Sequence, residues 1–405
     1  MLLKETLRHV ARTQMKELES FEYGVEREEL KEIDINSPYA VVLSGVRRCG
    51  KSTLLRQLAK EAENFYYFNF EDARIAGFET ADFHKLDDIL HEEFGECQHY
   101  FFDEVQNVER WELFVRTGLD HGKKFVLTGS NASLLSRELG TRLTGRHIRT
   151  ELFPFSYREA LEMHRSEANS ETLSRYLQSG GFPDYLRYNK EGGLRELFND
   201  IVERDIIMRH KLREAKTAKE MALYLLTNTG KEISFNSLKK VFNLGSATTA
   251  SSFVSFFEDS YLLFTVPKFG YSLKKQIMNP KKVYSIDNGF SSANSASFSE
   301  DRGRLLENAV FLHLRRKNRE IFYFKEKNEC DFVVKERNRI SSAFQVCYEL
   351  SEDNKHREIN GLTEALNEFD LSEGLILTFD QDDVFNIGDK KIIAMPAWKW
   401  MSGQC

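Results

Sequence analysis

Cysteine is scarce. The five residues Cys49, Cys97, Cys330, Cys347 and Cys405 form no CxxC pair and no Cys/His cluster at zinc spacing, so they read as reduced cytosolic thiols. Long apolar runs are missing too. No stretch reaches the ~18 apolar residues of a membrane-spanning helix, and the N-terminal MLLKETLRHVARTQMKELES has no long apolar core of a signal peptide. The expectation is a soluble, cytoplasmic protein with no membrane partner. Basic charge is not in excess either: the formal net charge is −6, which speaks against a generally basic surface and confines any nucleic-acid site to one region. No internal repeat is visible.

What is present is ordinary globular material. Hydrophobic residues make up 41% and charged residues 30%, and 32 phenylalanines can fill several cores. A chain of 405 residues exceeds what one core serves, so roughly two to four domains are expected. Residues 1–35 carry Leu3, Leu7, Val10, Met15 and Leu18 at helical spacing among charges, which predicts an amphipathic lead-in helix. Over 36–155, apolar strand-like runs (AVVLSG, NFYYFNFED, HYFFDEV, KKFVLTGS) alternate with helical stretches. That pattern predicts an α/β domain with a parallel sheet and ligand chemistry at the strands' C-terminal ends. Residues 156–228 read as a helical lid or spacer, broken by the turn at Gly180–Pro183. Over 229–290, short helices followed by β-prone runs suit a winged helix-turn-helix. Glycine, serine and asparagine crowd 287–299 and suggest a linker to a final α/β segment, 300–405.

The segment GVRRCGKS, Gly45–Ser52, fits GxxxxGK[ST] between a predicted strand and a predicted helix, the context a P-loop requires. Gly45 and Gly50 let the loop Val46, Arg47, Arg48, Cys49 fold so that its amides face phosphate oxygens at a helix N-terminus. Lys51 then reaches the β- and γ-phosphates, Ser52 offers a hydroxyl to Mg²⁺, and Thr53 starts the anchoring helix. Cys49 raises the question of oxidative blockage, although cysteine is also simply tolerated at a variable loop position. The run Tyr100, Phe101, Phe102, Asp103, Glu104 is an apolar strand ending in two carboxylates. On a strand neighbouring the P-loop, Asp103 would hold Mg²⁺ and Glu104 would orient and deprotonate the attacking water. A further strand ends in Thr128, Gly129, Ser130 and Asn131, polar groups suited to sensing a γ-phosphate or holding water; a plain turn is the alternative. Arg142, Arg146 and Arg149 follow, of which one could be an arginine finger, in cis or towards a neighbouring subunit, or all could be solvated charges. The cofactors expected are ATP and Mg²⁺.

In order along the chain, GVRRCGKSTLL, FFDEVQ with Gln106, LTGSN, LTGR followed by LFPFSYREA, GGFPDY, IVERDI, LLENAVF and ECDFVV resemble the AAA-type ATPases of bacteria and archaea that carry a C-terminal domain of unknown function. The resemblance spans nearly the whole chain. It implies an AAA-like P-loop core, a winged-helix middle and a C-terminal domain similar to restriction-endonuclease-like nucleases. Such nucleases use an acid on a helix, an Asp on one strand and Glu-x-Lys on the next. Here Glu307 and Asp331 fit, but Gln345 and Cys347 stand where the second acid and the lysine belong, which makes cleavage doubtful. For Glu307, Glu329 and Asp331, structural salt bridges are the plainer expectation.

Between Lys231 and Lys282, eight lysines (231, 239, 240, 268, 274, 275, 281 and 282) face three acids, and Ser246, Thr248, Thr249, Ser251 and Ser252 would decorate a recognition helix. DNA binding follows as an expectation, against a protein-packing role for the same module. Three functions stay open: an ATP-hydrolysing switch or motor in a nucleic-acid or defence-related process; an ATP-regulated nuclease; and a signalling or assembly ATPase that self-associates or binds protein.

Overall fold

The computed structural model describes residues 2–129, 143, 145–190, 192–294, 301–317 and 320–404. The chain divides into two compact units, Met1–Phe153 and Pro154–Cys405.

The first unit begins with α1 (Lys4–Glu19), which buries Leu7, Val10, Ala11, Gln14 and Leu18. Leu3, expected on the apolar stripe, is 75% exposed, because it caps the helix from outside its first turn. Gln14 docks the helix through its amide: Nε2 donates to the Asn69 carbonyl at 3.1 Å and Oε1 accepts the Asn69 N–H at 2.9 Å. Then come β1 (Ala40–Gly45), α2 (Lys51–Ala59), β2 (Tyr66–Asn69), α3 (Asp82–Phe94), β3 (His99–Asp103), α4 (Trp111–Asp120), β4 (Lys124–Gly129) and β5 (His147–Leu152). All five strands pair in parallel in the order β2-β3-β4-β1-β5. Strand β1 is buried along its whole length, as a central strand covered on both faces must be. Phenylalanine fills the core. Phe83 stacks on Phe114 at 4.8 Å between centroids, and Phe70 packs edge-on to Phe102 at 5.2 Å.

In the second unit, helices Tyr157–His164, Ser170–Ser179, Pro183–Tyr188, Gly193–Asp200 and Ala215–Thr227 accompany a π-helical segment, Ile201–Met208. Ser156 and Glu159 make a capping box that starts the first of these, each side chain accepting the other's backbone N–H, at 3.1 and 2.7 Å. A small antiparallel sheet, in the order β6-β8-β7, is built from β6 (Glu232–Ile233), β7 (Leu263–Pro267) and β8 (Lys281–Ser285). Between β6 and β7 lie the helices Phe235–Val241 and Ala247–Asp259.

The stretch expected as a linker is helical over Asn288–Asn294, with Asn288, Gly289, Phe290 and Ser291 buried. Its small residues serve packing: a Cβ on Gly289 would lie 2.0 Å from the Ser179 carbonyl oxygen. Helix Arg302–Lys317 leads into a six-stranded sheet, β13-β14-β12-β11-β10-β9. Its strands are β9 (Ile321–Lys325), β10 (Glu329–Glu336), β11 (Arg339–Val346), β12 (Glu373–Thr378), β13 (Asp383–Ile387) and β14 (Lys390–Pro396). Strands β11, β12 and β14 run parallel to one another, and the outer pairings are antiparallel.

Candidate functional site

Strand β1 ends at Gly45 and α2 begins at Lys51, so Val46–Gly50 form the turn between them. Gly50 adopts φ +103°, a conformation that a side chain strains. Val46 and Cys49 are fully buried, and burial pushes the Cys49 thiol above its ordinary pKa, so it is poorly reactive. Arg48 takes a left-handed conformation, Arg47 lies 3.8 Å from Glu71, and Thr53 is in the first turn of α2. Lys51 is 4% exposed, and its ammonium donates to the Gly45 and Val46 carbonyls at 3.1 Å each.

Asp103 is the hub of the site. Its Oδ1 accepts the Ser52 hydroxyl at 3.1 Å and the Thr128 hydroxyl at 2.6 Å, while Oδ2 accepts the Tyr67 hydroxyl at 3.2 Å. The hydroxyl of Thr128 also accepts the Glu104 N–H at 2.8 Å. Sheet order explains the convergence. Strand β4 lies between β1 and β3, so Asp103 is not on the P-loop strand's neighbour, as the sequence had suggested. Ser52, on α2, reaches across to it instead. Glu104 leaves the strand at φ +52°, and its carboxylate accepts Gln106 Nε2. Burial, reinforced by the Asp103 charge, raises the Glu104 pKa, against the opposing pull of Lys51.

The donor set suits a magnesium nucleotide. One ammonium, one hydroxyl and one carboxylate oxygen beside it offer Mg²⁺ only two protein ligands, which is usual for an ion that keeps waters and takes phosphate oxygens. Among the described residues no group of three or more His, Cys, Asp or Glu could hold a metal by itself. The phosphates would have to complete the sphere.

Other expected residues fall elsewhere. Ser130, Asn131 and Arg142 lie outside the described residues. Arg146 precedes β5 at the edge of the sheet where β1 begins, with its guanidinium paired to Asp120. Five strand residues, about 16 Å, separate that edge from Gly45, so Arg146 cannot be an arginine finger for its own chain's loop. Arg149 is nearer, donating through Nε to Ser44 Oγ at 2.9 Å, and lies 3.3 Å from Glu151.

Sequence reasoning missed Arg27, Gln57 and Tyr67. Arg27 is 1% exposed and donates from its guanidinium to the Cys49 carbonyl at 2.7 Å and the Phe153 carbonyl at 2.8 Å. Gln57 of α2 donates to the Tyr23 and Val25 carbonyls at 2.9 and 2.8 Å. The segment after α1 thus holds both the loop and the helix behind it. Arg27 carries no local motif, and Tyr67 reads as core in an aromatic strand.

The model of an AAA domain matches residues 37–161, a domain of unknown function (DUF8612) matches 170–301, and another (DUF4143) matches 302–400. An uncharacterized protein of Methanocaldococcus jannaschii is 33% identical over 391 residues, covering 89% of this chain and 87% of its own. This chain belongs to the same family of AAA-domain proteins. A Haemophilus influenzae relative, also uncharacterized, is 28% identical over 346 residues, covering 80% of this AAA-domain protein and 86% of itself. A Walker-type ATPase of Pyrococcus abyssi aligns with 67% of the chain and 95% of its own, at 16% identity and a TM-score of 0.40. Among the described residues no helix of the AAA-domain protein is long and apolar enough to cross a membrane.

Proposed function

We propose that this AAA-domain protein binds ATP at Gly45–Thr53 and hydrolyses it. The observation that carries the reading is the Ser52–Asp103–Thr128 network with Glu104 held beside it. Loop amides and Lys51 would bind the phosphates, and Ser52 and Asp103 would hold Mg²⁺, which would offset charge on the phosphate oxygens. Glu104, half-buried and with a raised pKa, is the base that orients water and takes its proton. Ser130 and Asn131 would sense the γ-phosphate or hold the attacking water. An arginine supplied by another subunit, Arg142 or Arg146, would complete charge stabilisation.

For the second unit we propose a helical spacer at 156–228, a winged helix-turn-helix at 229–290 and a nuclease-like α/β domain at 300–405. Two helices followed by the antiparallel β7–β8 pair, whose connection carries the helix Leu273–Met278, support the middle assignment. Lys240 and Lys274–Lys275 are exposed there, which favours duplex DNA as partner. Lys268, 3.5 Å from Glu326, and the buried Lys282 are not free for phosphates. The hydroxyl of Ser246 is also committed, accepting the Thr249 N–H at 3.0 Å. ATP turnover would then drive a nucleic-acid-associated or defence-related process.

The test is ATP hydrolysis by wild type, Lys51→Ala and Glu104→Gln, with and without duplex and single-stranded DNA. Turnover lost in both variants, with Glu104→Gln still binding ATP, supports the site, and stimulation by DNA supports the partner. A wild type that binds no nucleotide overturns the reading. Turnover indifferent to DNA, with nucleotide-dependent self-association, selects the assembly switch.

A further inference from the structure

Lys282 lies on β8, within the segment 170–301, and is 3% exposed. Its ammonium is 3.1 Å from Glu307 Oε1, 2.8 Å from Glu329 Oε1 and 2.8 Å from Asp331 Oδ1, three carboxylates that all belong to the segment 302–400. An ammonium has three N–H donors, so one carboxylate meets each. The acids come from different elements: Glu307 from helix Arg302–Lys317, Glu329 and Asp331 from the start of strand β10. Each carboxylate has a further partner. The Tyr284 hydroxyl donates to Glu307 at 2.7 Å, Lys325 lies 2.9 Å from Glu329 Oε2, and the Val346 N–H donates to Asp331 Oδ2 at 3.0 Å.

We propose that Lys282 is the resident cation of this acidic cluster, so that Glu307, Glu329 and Asp331 work as a latch between the two segments and not as a divalent-metal centre. The distances are those of N–H···O hydrogen bonds, longer than the 2.0–2.6 Å of Mg²⁺ or Ca²⁺ coordination. No three acids among the described residues are arranged to hold a metal themselves. Gln345, next to the cluster on β11, is turned away from a metal role: its Nε2 donates to Glu358 Oε2 at 2.6 Å, and its Oε1 accepts the Asp331 N–H at 3.3 Å. Burial by itself would lower the Lys282 pKa. The charges of Asp331 and its neighbours outweigh that effect and hold it well above the ordinary lysine value, so the ammonium keeps its proton at neutral pH.

The latch does not depend on nucleotide binding, and its test uses the full-length chain without ATP. Thermal melts and Mn²⁺ titrations are run on wild type, Lys282→Ala, Lys282→Met and the triple variant Lys282→Met/Glu307→Gln/Asp331→Asn. Both single variants leave carboxylates buried without their counter-charge and should melt roughly 5–10 °C lower. Neutralising two of the three acids in the triple variant, with Glu329 still paired to Lys325, should recover most of that loss. Mn²⁺ should raise the melting temperature of Lys282→Ala, where the cation place is open, and leave wild type unmoved. The proposal is overturned if wild type binds Mn²⁺ and the triple variant does not. It is equally overturned if Lys282→Met melts with wild type, or if the triple variant melts no higher than Lys282→Met.

Discussion

Thr128 binds Asp103 and Glu104 through one hydroxyl: Oγ1 donates to Asp103 Oδ1 at 2.6 Å and accepts the Glu104 N–H at 2.8 Å. A single oxygen on β4 therefore sets both the carboxylate proposed to hold magnesium and the turn that carries the proposed base.

Replacing that oxygen should uncouple the two. Thr128→Val keeps the side chain's shape but leaves the Glu104 N–H and one lone pair of Asp103 unsatisfied, costing about 1–3 kcal/mol of stability. ATP turnover should fall by about 10–100-fold with a smaller change in ATP affinity, since the fault lies in orienting the base. Thr128→Ser should retain most activity. A Thr128→Val enzyme at full rate would refute this account.

The raised pKa of Glu104 has a pH signature. The base must be ionised, so kcat should decline on acidification at a pH above the ordinary glutamate value. The hydrogen bond from Gln106 lowers the Glu104 pKa, so Gln106→Leu should move the acidic limb to higher pH. A pH–rate profile of both proteins checks the direction of the displacement.

Arg27 should matter to the loop without touching nucleotide. Arg27→Ala strands the buried Cys49 and Phe153 carbonyls, at about 1–3 kcal/mol each, and should weaken ATP binding as the loop loosens. Arg27→Lys should rescue little, because one ammonium on a flexible stem does not reproduce the planar fork that serves two carbonyls. Isothermal titration with a non-hydrolysable ATP analogue and a chemical melt separate the two effects.

His313 gives the second unit an acid sensitivity. It packs against Trp400 at 4.5 Å between centroids, and burial, helped by Lys317, Arg316 and Arg158, lowers its pKa to about 3. The unfolded chain takes up a proton near the ordinary value of 6.5 while the folded one resists. Stability is therefore complete above that value and declines as pH falls from 6.5 towards 3, by at most about 1.4 kcal/mol per pH unit. His313→Phe should flatten this part of the stability–pH curve relative to wild type in urea melts.

The nucleotide loop was legible in the sequence because its signal is local: strand, two glycines, lysine and helix sit within a few consecutive turns. The parallel sheet was legible for the same reason, as apolar runs alternating with helices. Strand order was not. That β4 separates β1 from β3 is a long-range pairing choice, and the run HYFFDEV reads the same in either position. Lysine patterning failed at Lys282, because a charged residue is read as exposed until its counter-charges, 25 to 49 residues away, are brought to it. The small residues after Asp287 suggested a linker because glycine and serine serve close packing as well as loops.

The grip of Arg27 on the loop also separates two boundaries that are easily equated. The stretch that matches an AAA domain starts at residue 37, ten residues past that arginine. Excised at 37, the domain would keep every residue of its nucleotide motif and lose the guanidinium that braces it, together with the carbonyls that hold Gln57. In this protein the stretch that matches the AAA domain leaves out side chains that brace its own loop.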